Sequence, residues 1–324
     1  MRISRKTISA ATLLVCAIAF YFYIRDHLSE FSSISDVSVQ YVILIGCASL
    51  AGLIVNGLFL KVLLDEFGIR LGFSEYFSIS ILTSFGNVFL PMKGGAGFKA
   101  VYLKSKYNYD YSYFVAGLAG NYLVCFNVTA LTALAGMGLY WSGTGYFNIP
   151  AAAVFIGIAV AAFWVIFFPP RAFDWIPLRW ARAQANQVLS GWNTVRKSGR
   201  TVAYLFILAS TNVFISSVMC WLEFSAFGMR DAQGLPIGIA QSAVFSAIGS
   251  LAVFIGLTPA ALGVRESLLM FSSEILGISP AQALTASLLD RTVSFLVLAM
   301  LFSFASIYIK KQLNPRVAAC KNHC

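Results

Sequence analysis

Charge is scarce in this 324-residue chain: 23 Lys and Arg and 13 Asp and Glu make up 11% of it. A soluble protein carries about a quarter of its residues as charges. Apolar residues reach 59%, more than a soluble core of this size can absorb. The shortage excludes a soluble enzyme, a nucleic-acid-binding domain and a disordered tail, and it identifies a polytopic membrane protein. The net charge of +10 fits an excess of cations in cytoplasmic loops rather than a nucleic-acid surface.

Histidine is scarcer still, with His27 in a loop and His323 near the end, neither placed for an intramembrane active site. There is no HExxH, no P-loop and no adjacent pair of aspartates. The acids Asp110, Glu223, Glu266 and Asp290 are too scattered for a Mg²⁺ site. Catalysis is therefore not expected, and neither is a cofactor. The six cysteines form no disulfide framework: Cys16, Cys47, Cys125 and Cys220 lie in apolar runs and act as small hydrophobes. Cys320 and Cys324 flank His323, but no fourth ligand is near, so no metal site is expected.

What the chain does have is long apolar runs, each near the 20 residues or so that cross the hydrocarbon. Residues 7–24, behind Arg2, Arg5 and Lys6, read as a retained anchor, because no cleavage site follows. Further spans are expected at 39–64, 111–141, 149–169, 201–227 and 281–309. Two more apolar stretches, 76–92 and 237–258, end at Pro91 and Pro259. The run from Arg171 to Arg200 reads as a basic cytoplasmic loop, and Lys310 and Lys311 close the last span on the same side. Lys61 and Arg70 lie inside, as do Lys104 and Lys106, so the segment between them must return to the side it left. Arg230 lies outside, so the segment carrying Pro259 must return there. Two re-entrant segments then enter from opposite faces.

The tips, near 91–97 and 259–265, resemble each other: Pro91 precedes Gly95 by four residues and Pro259 precedes Gly263 by four, each with a cation close behind, Lys99 and Arg265. Proline ends the entering half-helix, and Gly94, Gly95, Gly97 and Gly263 allow the reversed dihedrals of a turn. Long spans follow, with Asn121 and Asn127 in one and Asp290 and Arg291 in the other. Such a unit repeated upside down is a transporter plan, with its site at the midplane. Charge at that depth is costly. Two accounts of it stand: Lys93, Lys99, Arg265 and Arg291 present positive charge to an anionic group, or a structural ion pair, Asp290 to Arg265 or Glu266 to Arg291, locks the segment to its neighbour. Glu223, toward the outer end of its span, reads as interfacially solvated, with a proton-coupling carboxylate as the alternative reading. Tyr107, Tyr109, Tyr111 and Tyr113 read as an interfacial aromatic belt.

The run from Pro91 through Gly94-Gly95-Ala96-Gly97-Phe98-Lys99-Ala100-Val101-Tyr102-Leu103, and the run Pro259, Gly263-Val264-Arg265-Glu266, Asp290-Arg291, resemble the signature regions of the lysylphosphatidylglycerol synthase transmembrane, or flippase-like, family. Many members carry Glu where Ala96 stands and Arg where Lys99 stands. The resemblance implies a multi-span protein of the bacterial inner membrane that translocates anionic or modified lipids. Only residues 310–324 follow the last span, so no soluble aminoacyl transferase domain and no synthase activity are expected.

The expected architecture is thus an all-α polytopic membrane protein of about six full spans plus two re-entrant broken segments in an inverted repeat, both termini cytoplasmic. It is one transmembrane domain over 1–324: an anchor and external loop over 1–38, a first half over 39–141, a linking span and basic loop over 149–200, a second half over 201–309 and a tail over 310–324. The expected function is a lipid flippase or lipid-transport component, with Lys93, Lys99, Arg265, Glu266, Asp290 and Arg291 as site residues. The partner is a membrane lipid with an anionic head group, phospholipid or polyprenyl-linked. The alternative is a non-catalytic accessory subunit for an envelope glycosyltransferase or lipid-modifying enzyme.

Overall fold

The computed structural model describes Arg25 and residues 37–90, 94–168, 179–255, 264–273 and 277–313. The expected anchor at 7–24, the tip residues Pro91, Lys93, Pro259 and Gly263, and the tail beyond 313 lie outside the described residues. Ten helices of the described chain are numbered here in order: α1 Val39–Asp65, α2 Phe73–Phe89, α3 Gly94–Tyr107, α4 Tyr111–Thr144, α5 Ile149–Phe167, α6 Arg179–Lys197, α7 Gly199–Ala226, α8 Ile239–Ile255, α9 Val264–Ser273 and α10 Pro280–Leu313. Among the described residues there is no extended strand, and one isolated bridge joins Arg230 to Pro236.

Helices α1, α4, α5, α7 and α10 are long and apolar enough to cross a membrane. They coincide with the apolar runs, because in hydrocarbon a segment must satisfy its backbone hydrogen bonds internally. Large apolar side chains cover their outer faces: Val154, Val160 and Trp164 on α5, Phe214 on α7 and Met300 on α10 are each more than 60% exposed. Such a surface requires lipid around it. The protein is a multi-pass membrane protein.

The remaining apolar helices are short, and they pack in pairs. Helix α2 has 17 residues and α3 has 14, about 25 and 21 Å at ~1.5 Å per residue, against a hydrocarbon core of ~30 Å. They run antiparallel: Gly95 lies against Thr83 near the connection, and Glu75 at the far end of α2 meets Tyr102 and Tyr107 at the far end of α3. In the second pair, α8 has 17 residues and α9 has 10. Gly249 of α8 lies against Arg265 of α9, where a Cβ would stand 3.3 Å from its Nε.

A repeat that is faint in the residues is plain in the helix lengths. The first unit reads 27, 17, 14 and 34 residues (α1 to α4) and the second 28, 17, 10 and 34 (α7 to α10). The packing is reciprocal as well. Helix α2 of the first unit packs on α10 of the second, α8 of the second packs on α4 of the first, and α1 packs on α7. Phe85 of α2 stacks on Phe302 of α10 with ring centroids 4.2 Å apart.

Two expectations change here. The stretch read as a basic loop contains helix α6, whose Leu189, Trp192 and Val195 are buried at a helical spacing of three. Trp192 occupies the space left by Gly120 of α4, where a Cβ would stand 2.1 Å from its ring. The glycines after Pro91 are not the reversed residues of a turn either. Gly94, Gly95 and Gly97 lie in the first turn of α3, and none of them has a positive φ. At Gly95 the requirement is close approach, since a Cβ would stand 1.9 Å from the Thr83 carbonyl oxygen. Its amide donates to Asn87 Oδ1 at 3.1 Å.

Candidate functional site

A cavity of about 330 Å³ opens between the two units. Six helices place polar side chains on its wall, among them Asn56 from α1, Asn87 from α2, Lys99 from α3, Asn121 from α4, Asn212 from α7 and Ser250 from α8. Lys99 is the one charged residue among the lining residues, and its ammonium has no hydrogen bond or ion pair among the described residues. Leu60, Leu63 and Phe114 supply apolar wall. Asn127, which also stands inside a span, is not part of the cavity: it is 3% exposed and donates to the Ala159 carbonyl at 2.8 Å, tying α4 to α5.

A second cavity, of about 200 Å³, lies behind the first, and Ser250 lines both. Arg265, Asp290 and Glu223 face it. Arg265 Nη1 donates to Asp290 Oδ2 at 2.6 Å, and Ser294 donates to the other carboxylate oxygen at 3.1 Å. The neighbouring residues pair in the reverse sense: Arg291 Nε donates to Glu266 Oε1 at 2.6 Å, with Ser287 donating to the same oxygen at 3.3 Å. Two successive residues of α9 are thus crossed with two successive residues of α10, acid to base and base to acid. Successive positions on a helix point about 100° apart, so the two pairs brace the contact from both sides. The sequence offered these two ion pairs as alternatives, and both are present.

The expected site residues therefore divide. Lys99 stands in the larger cavity, Arg265 and Asp290 in the smaller, and Glu266 with Arg291 lines neither of them. Gly95 packs against Thr83 and Asn87 of α2, and Lys93 lies outside the described residues. Glu223 corrects the sequence reading: it is not solvated at an interface but 3% exposed. The tyrosine belt also divides. Tyr111 is half exposed, whereas Tyr109 is 7% exposed against Phe67 and Tyr107 donates to Glu75 at 2.8 Å. Sequence reasoning passed over Asn56, Asn87 and Asn212, whose signal was an amide inside an apolar run. It passed over Glu75 too, whose Oε1 accepts from Tyr102, Lys106 and Tyr107.

The family profile described as Lysylphosphatidylglycerol synthase TM region matches residues 7–301. The chain belongs to this family. Among curated proteins no similar chain was found. The match covers the first helical unit of this lysylphosphatidylglycerol synthase transmembrane family member and the second as far as residue 301, and so both cavities and all four charges of the crossed ion pairs. It ties the chain to a membrane domain associated with lipid chemistry.

Proposed function

We propose that the protein is a lipid translocator of the bacterial inner membrane, in which the larger cavity receives an anionic head group and Lys99 holds its charge. The observation that carries this reading is the convergence of one unpaired cation and four amides from separate helices on a single cavity. Ligand sites are typically ~300–1,000 Å³, so this cavity is matched to a head group rather than to a whole lipid. Acyl or polyprenyl tails would stay in the bilayer beside the apolar outer faces. The amides donate and accept, which suits a phosphate carrying hydroxyls. The crossed ion pairs then serve as the frame of the second helix pair, with Arg265, Glu266, Asp290 and Arg291 acting through position rather than by direct contact with the phosphate.

In this reading the two short helix pairs are re-entrant, and the crossings support their inversion. If neither pair crosses and α6 lies at the surface, then α1, α4, α5, α7 and α10 cross alternately. The first pair then opens to the side where α1 ends, and the second to the opposite side. Rocking of one unit against the other would expose the cavity alternately. Reporter fusions check this: positions 105 and 190 are expected to report inside and 145, 233 and 278 outside. An inside signal at 278 would break the inversion.

The functional test is lipid co-purification and translocation in vesicles containing phosphatidylglycerol. Lys99→Ala is expected to lose the enriched anionic lipid and to cut translocation at least ~10-fold, the effect of about 1.4 kcal/mol of lost binding, while Lys99→Arg retains most of both. Translocation that survives Lys99→Ala unchanged would remove the site and favour the accessory-subunit reading, with α6 as the surface to examine next.

A further inference from the structure

Glu223 is 97% buried and faces the smaller cavity, yet among the described residues it has no hydrogen bond and no ion pair. The charges around it are few. Helices α4 and α8 carry no charged residue, and the charges of α1, Lys61 and Asp65, pair with each other at its far end. Cys220 on its own helix lines the same cavity, as do Arg265 from α9 and Asp290 from α10. These three are the titratable or charged groups that face it. Arg265 is a single cation and Asp290 already holds it at 2.6 Å, with Ser294 as a further donor. A second ionised carboxylate would leave the cavity with an uncompensated negative charge in a poorly solvated place, which is costly. A proton on Glu223 makes the set neutral.

The other half of the observation is on the guanidinium. Arg265 Nε is buried and has no hydrogen-bond partner among the described residues. A donor without an acceptor and a carboxyl without a donor therefore share one cavity. We propose that Glu223 is a proton-binding site, and that when its proton leaves to water the carboxylate competes with Asp290 for Arg265. The three groups sit on three different elements: Glu223 on α7, Arg265 on the short second pair and Asp290 on the long closing helix. A change of partner by Arg265 would shift the second pair against its neighbours, making its position depend on protonation. Ser216, Ser246 and Ser250 line the cavity and offer hydroxyls to water that could carry the proton.

This proposal goes beyond lipid binding, and its readout does not depend on transport. The experiment is infrared spectroscopy of the purified chain in phosphatidylglycerol-containing bilayers, following the carbonyl stretch of a protonated carboxylic acid as pH is varied. The expected result is a band present at neutral pH and lost in Glu223→Gln. In Asp290→Asn the competing acid is gone and Arg265 is released, and both changes favour the ionised form of Glu223. In that variant the band is expected to be weakened at neutral pH. If a variant fails to fold, wild-type chain labelled with carboxyl-¹³C glutamate keeps the test alive. Among the described glutamates other than Glu223, Glu75 and Glu266 pair with Lys106 and Arg291 and Glu66 accepts from the Thr201 hydroxyl, so a protonated glutamate band at neutral pH is expected from Glu223. A wild-type spectrum without that band, or a band undiminished in Asp290→Asn, overturns the proposal. Loss of lipid translocation in Lys99→Ala with the band retained would separate the two sites.

Discussion

Glu266→Ala is expected to lower the free energy of unfolding by about 3–5 kcal/mol, the usual cost of removing one member of a buried ion pair. Glu266 is 3% exposed, and its Oε1 receives both the Arg291 guanidinium and the Ser287 hydroxyl. Truncation removes the acceptor and leaves a cation at depth in the membrane. Neutralising both partners, as in Glu266→Gln with Arg291→Gln, is expected to cost less than the sum of the single changes, with a coupling of roughly 0.5–3 kcal/mol. Unfolding in mixed micelles followed by tryptophan fluorescence reads both quantities. Additive single changes would show that the pair does not act as a unit.

The second large effect is expected at Glu75, which closes the other short pair. Its Oε1 accepts from Tyr102 at 2.6 Å and from Lys106 and Tyr107 at 2.8 Å, and Lys106 continues to Gln312 on α10 at 2.9 Å. Glu75→Ala is expected to cost about 3–5 kcal/mol, since three donors lose one buried acceptor. The loss should be local first, so amide exchange over Phe73–Tyr107 is expected to rise before that of α4 or α7. Glu75→Met with Lys106→Met should be milder, because replacing both partners with apolar groups removes the unpaired charge. Equal exchange across all helices in Glu75→Ala would refute a local clamp.

These residues show how much of the molecule could be read from the chain. The long helices follow from hydropathy, because a span's length and polarity are local properties. The pairing of Arg265 with Asp290 and of Glu266 with Arg291 was also legible, since so few charges lie at that depth that the candidates nearly select themselves. Glu223 was misread because distance along a span does not report depth or facing. It lies three residues before the end of α7, yet its side chain turns into the protein. Tyr109 was misread for the same reason, as an aromatic near a helix start serves an interface or a core equally well. The amides could not be assembled in advance. Asn56, Asn87, Asn121 and Asn212 sit on four helices, and only the tertiary packing brings them to one wall.

The reciprocal packing of the two units has a consequence for biosynthesis. The face of α2 that carries Phe85 and Phe89 rests on Phe302 and Phe295 of α10, and Lys106 of α3 reaches Gln312 near its end. When the ribosome has completed Tyr107, it must still make the residues from Tyr111 to Leu313 before those partners exist. During that interval the first helix pair has lipid or the translocation machinery where its neighbour will be. Neither unit can finish its core alone, so a truncation after α6 removes the support of α2 and α3 rather than releasing an independent half. Assembly has to end where it began, with the last helix docking on the first pair.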